Sequence, residues 1–101
     1  MVTVSIGNSE RNGAEVDESW INQQINRRRD EGQPVCIQVH IKDGYLDLRL
    51  ATPTCGGGGG GRPPTPSEQR IVDLWEKHRL FTTEFTGGNV IAFLKQLDRI
   101  I

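Results

Sequence analysis

The chain has little cysteine. Cys36 and Cys55 are the only two in 101 residues, too few for a small disulfide scaffold. No Cys-x-x-Cys or His-x-x-x-His spacing links them to each other or to His40 and His78, so no zinc pattern is present. Both cysteines read as free thiols. An excess of charge of one sign is lacking too: the formal net charge is -1. A chain whose main partner is a polyanion needs a basic surface, so nucleic acid is not the expected partner. No apolar run is long enough to span a bilayer. The opening Met1 to Ile6 has neither the basic region nor the long apolar core of a signal peptide. The expectation is a cytoplasmic domain with no membrane, metal or cofactor.

Leu, Ile, Val and Phe make up about a quarter of the residues, more than a disordered chain carries. The length suits one domain over residues 1–101. The most informative stretch is Val35 to Ala51. Two alternating runs flank Asp43-Gly44, a strong hairpin signal, because a type I′ turn needs positive φ at both central residues. With Asp43 and Gly44 at the centre of the turn, Ile41 faces Leu46, His40 faces Asp47, Val39 faces Leu48 and Cys36 faces Ala51. Side chains alternate across a sheet. One face is then Ile37, Val39, Ile41, Leu46, Leu48 and Leu50. The other is Cys36, Gln38, His40, Lys42, Tyr45, Asp47 and Arg49.

Val2, Val4 and Ile6 alternate with polar residues and predict a third strand. Gly7 to Ala14 is polar, with Asn12-Gly13 as a turn signal. A helix is predicted over Asp17 to Glu31, capped by Asp17 and stopped by Gly32. A second follows Thr65, with Pro66 at its first position, Glu68 completing a capping box, and Ile71, Leu74, Trp75 and His78 on one face. Leu80 to Phe85 reads as a short strand or an extended connector. Val90, Ile91, Phe93, Leu94, Leu97 and Ile101 predict a third helix. The expected fold is α+β: a small antiparallel sheet of the N-terminal strand and the Asp-Gly hairpin, with about three helices on its aliphatic face. Thr52 to Pro64, rich in glycine and proline, reads as a flexible loop.

Five places invite chemistry. The glycine run ahead of a helix has the order of a phosphate-binding loop, which makes Gly58, Gly59, Gly60, Gly61 and Arg62 a candidate anion loop. It lacks the Gly-Lys-Ser/Thr ending, and the nearby prolines have no N–H to donate. His40 with Asp47 could hold one imidazole tautomer, with Cys36 on the same face. Four strand residues are about 13 Å, too far for thiolate–imidazole contact. The same distance separates two of the five potential metal ligands, Cys36, His40, Asp47, Cys55 and His78. Arg27-Arg28-Arg29 is the one basic run, but consecutive helical residues fan apart. The fifth is the polar sheet face, where His40, Lys42, Tyr45, Asp47 and Arg49 have the residue mix of an interaction surface. The expected function is a non-enzymatic protein-interaction or adaptor module. The alternative is a binder of an anionic ligand, phosphate-bearing or nucleic acid, through the glycine loop and nearby arginines. A homo-oligomer is open to the chain through a sheet edge or the open face.

Overall fold

The computed structural model describes residues 1–44, 46–55, 63–82 and 84–100. The fold is α+β. Strand β1 (Val2–Ile6) turns into β2 (Ser9–Asn12), and a 3-10 turn (Gly13–Glu15) leads to helix α1 (Glu18–Asp30). The hairpin β3 (Ile37–Asp43) and β4 (Leu46–Ala51) follows, then a second 3-10 turn (Pro53–Cys55), α2 (Pro66–Lys77) and α3 (Gly87–Leu97). The sheet is four-stranded and antiparallel, in the order β2-β1-β3-β4.

The aliphatic face forms as the alternation requires. Val4, Ile6, Ile37, Val39, Ile41, Leu46 and Leu50 are buried, and Leu48 is half-buried against the same core. The helices add Trp20, Ile21 and Ile25 from α1, Ile71, Leu74 and Trp75 from α2, and Val90, Phe93 and Leu97 from α3. Ile101, expected to extend that last face, lies outside the described residues. Trp75 is fully buried, with Phe93 edge-on at 5.1 Å.

Local signals set the helix ends. Asp17 accepts from the N–H of Trp20, and Gly32 (φ 69°) ends α1 in the left-handed region. The capping box of α2 is complete: Thr65 accepts from the Glu68 N–H, and Glu68 accepts from the Thr65 N–H. Past its end, the N–H groups of Arg79 and Leu80 return to the carbonyls of Glu76 and Trp75. This is a Schellman closure with Arg79, rather than glycine, at φ 58°. The alternating signal at Leu80 to Phe85 gives no strand among the described residues. Leu80 and Phe85 are instead single buried anchors on a connector.

Three expectations need correction. The polar stretch after Gly7 contains a strand, β2, where a loop is expected. Its Ser9 and Arg11 point toward α1: Ser9 donates to Gln24, and the Arg11 guanidinium lies 5.1 Å from the centre of the Trp20 ring. The hairpin register is displaced by two residues, with Asp43 opposite Leu46, Ile41 opposite Leu48 and Val39 opposite Leu50. Gly44 (φ 54°) takes the first central turn position, which demands positive φ, and Asp43 stays in the strand. A shift of two keeps every side chain on its predicted face. Finally, Cys36 and Cys55 are not free thiols but a disulfide, with their Cα atoms 5.0 Å apart. The displaced register accounts for this. Thr52 comes to lie opposite Ile37, donating its N–H to the Ile37 carbonyl, and the next turn brings Cys55 back over Cys36.

Candidate functional site

All three helices pack on the aliphatic face, and no described helix covers the other face of the sheet. Register arranges that face in rows. Asn12, Thr3, His40 and Arg49 lie side by side across the four strands; Glu10, Ser5, Gln38 and Ala51 form the next row. Thr3, Ser5, Glu10, Gln38, His40 and Arg49 line a shallow polar depression of about 130 Å³.

His40 and Asp47 do meet, at 2.6 Å between Nε2 and Oδ1. They meet diagonally, because Arg49 stands directly opposite His40 and Lys42 opposite Asp47. The ring hydrogen bond from His40 lowers the Asp47 pKa; burial opposes this, and the charges of His40, Lys42 and Arg49 add to the lowering. Asp47 is therefore a committed acceptor that orients the imidazole. Glu10 and Arg49 have no ion-pair partner among the described residues. The face thus presents a carboxylate on its β2 side and a guanidinium on its β4 side, with hydroxyls and an amide between.

Of the expected surface residues, His40, Lys42, Asp47 and Arg49 lie on this face. Tyr45 lies outside the described residues, as do Gly58, Gly59, Gly60, Gly61 and Arg62 of the candidate anion loop. The sequence reading missed Thr3, Ser5 and Glu10. The outward parity of β1 could have found the first two; nothing in the polar run Ser9 to Asn12 announces Glu10.

The arginine run is dispersed. Arg27 is 3.7 Å from Glu31, and Arg28 folds over Gly7 and donates to the Pro34 carbonyl. No group of three His, Cys, Asp or Glu residues converges in metal-binding geometry among the described residues. Cys36, being disulfide-bonded, offers neither a nucleophile nor a ligand. Trp75 Nε1 and His78 Nε2 are buried without hydrogen-bond partners among the described residues. A second, larger groove of about 420 Å³ runs past Val2, Ala14, Asp43, Leu94 and Leu97, at one end of the sheet. No described helix is long and apolar enough to cross a membrane.

No family model, curated protein or solved structure matches the chain.

Proposed function

We propose that this domain is a protein-interaction module that docks its partner on the open polar face of the sheet. The observation that carries the reading is a polar face that no described helix covers, with Glu10 and Arg49 at opposite sides of one depression and without an ion-pair partner among the described residues. Ion pairs there lend specificity and register rather than large affinity. The partner is a protein surface that presents a carboxylate toward Arg49 and Lys42, and a cation toward Glu10. Binding, not catalysis, suits the chemistry. His40 is already held by Asp47, and the Cys36 sulfur is bonded to Cys55.

Four strands at about 4.8 Å spacing and five residues of about 3.4 Å rise give roughly 300 Å² of face. A stable interface needs about 800 Å² per partner. A homodimer through this face alone is therefore weak, and a transient hetero-partner fits better. The anion-binding alternative loses Arg27 and Arg28 to contacts within the fold. We keep the cytoplasm as the proposed location; there the Cys36–Cys55 bond faces a reducing thiol pool.

The test is a capture experiment from native extract with the wild-type chain and a Lys42→Glu/Arg49→Glu double variant. The expected result is a specific partner held by the wild type and lost by the variant, with an unchanged melting midpoint. Retention of the same partner by the double variant would refute the reading.

A further inference from the structure

We infer that Cys36–Cys55 is a thiol–disulfide exchange site, opened on the folded domain by an external dithiol that attacks Cys36 and expels Cys55.

Three observations support this. First, neither cysteine is fully buried, and exchange needs a partly exposed sulfur. Second, contacts other than the bond hold this part of the fold. The apolar core contains neither cysteine. The turn that carries Cys55 is also fixed to β3 without sulfur. The Thr52 N–H donates to the Ile37 carbonyl at 3.1 Å, the Ile37 N–H to Thr52 Oγ1 at 3.3 Å, and the Thr54 hydroxyl to the Val35 carbonyl at 2.5 Å.

Third, the two sulfurs differ in their surroundings. Thr52 Oγ1 lies 3.3 Å from Cys55 Sγ, while Cys36 Sγ makes no hydrogen bond among the described residues. Thr54 has given its proton to Val35, so the Thr52 proton is shared between Thr54 Oγ1 at 3.0 Å and Cys55 Sγ. As negative charge builds on Cys55, that proton can turn to it. A better-stabilised thiolate leaves faster. Attack therefore falls on Cys36.

The step balances. A thiolate of the dithiol forms a bond to Cys36 Sγ; the Cys36–Cys55 bond breaks, and its electron pair goes to Cys55 Sγ, which takes a proton. The second thiol of the reductant, deprotonated, then closes on its own sulfur in the mixed disulfide. Cys36 leaves as thiolate and is protonated. The dithiol is oxidised by two electrons, and the two cysteines are reduced. Cys55, 3.2 Å from the Ile37 carbonyl, gains an acceptor for its new thiol proton.

The experiment treats the full chain with dithiothreitol under native conditions and follows thiol release by alkylation and mass. Far-UV circular dichroism and amide exchange at Val39 and Ile41 are recorded alongside. Glutathione, a monothiol, traps the mixed disulfide for peptide mapping. The expected result is complete, reversible reduction with the sheet amides still protected, and the glutathione adduct on Cys36. Thr52→Val should slow reduction roughly tenfold, the worth of one hydrogen bond to a developing thiolate, and Thr52→Ser should restore the rate. Unfolding on reduction, resistance to excess dithiothreitol, an adduct on Cys55, or an unchanged rate in Thr52→Val would each overturn the proposal.

Discussion

Gly87 and Gly88 open α3 side by side, yet substituting alanine at each should have opposite effects. A Cβ on Gly87 would meet the Glu18 carbonyl oxygen at 2.7 Å and Asn22 Oδ1 at 2.9 Å. Neither can simply give way. The first is backbone of α1, and the second accepts the Gly87 N–H at 2.9 Å. That bond matters because Thr86, at the cap position, makes no side-chain cap bond, so α1 supplies what α3 lacks. Gly87→Ala therefore combines overpacking, about 1–3 kcal/mol, with a weakened cap, about 1 kcal/mol. Helix propensity returns at most about 1 kcal/mol. The net expectation is a loss of about 2 kcal/mol, or roughly 8–16 °C in melting midpoint at this chain length. A Cβ on Gly88 meets nothing closer than 3.6 Å, so Gly88→Ala should stabilise by about 0.4–1 kcal/mol. Asn22→Ala should cost the cap alone, about 1 kcal/mol. Denaturant melts of the three variants decide the matter. Equal effects at Gly87 and Gly88 would refute the close approach of α1 and α3.

Three further predictions concern the core, a helix end and pH. Trp75→Ala should cost about 3–5 kcal/mol, and in a Trp20→Phe background Trp75 emission should be blue-shifted and shielded from iodide; free quenching would place the ring outside the core. Arg79→Gly should stabilise by about 1 kcal/mol, because the Schellman position holds a non-glycine residue at φ 58°; a loss in thermal melts would show that the Arg79 side chain matters more than its backbone. The folded pKa of Asp47 lies below its ordinary 3.8, so its contribution to stability is present above that value and fades as pH falls through the lower folded one. The gap in melting midpoint between wild type and Asp47→Asn should accordingly close on acidification below about pH 4, and a gap that widens there would contradict the assignment.

The sequence made the faces of the sheet legible, but not its full extent. Alternation in β1, β3 and β4 identified which residues go inside, because that pattern survives any even shift of register. The register itself turned on one glycine. Asp-Gly favours a turn centred on both residues, yet Gly44 serves equally well as the first central residue, and the chain takes that option. From this follows the disulfide, which no spacing rule foretells: Cys55 reaches Cys36 only once Thr52 is opposite Ile37. Strand β2 was hidden because its inward residues, Ser9 and Arg11, are polar. They bury no aliphatic group but bind Gln24 and cover Trp20. Without β2, Glu10 and the far half of the docking face could not be read. The helices were plain because their caps are local chemistry, and Asp17, Gly32, Thr65 and Glu68 act within a turn of where they stand. The cap of α3 was not legible, since its acceptor, Asn22, lies 65 residues away.

The most direct measurement of the proposed function is site-specific photo-crosslinking in native extract. A photoreactive residue is placed at Thr3 on the polar sheet face in one variant and at Gln23 on the exposed side of α1 in another. The expected result is a discrete adduct from position 3, abolished when Arg49→Glu is added, and none from position 23. An adduct from position 23 alone, or one from position 3 that survives Arg49→Glu, would contradict docking through the open face.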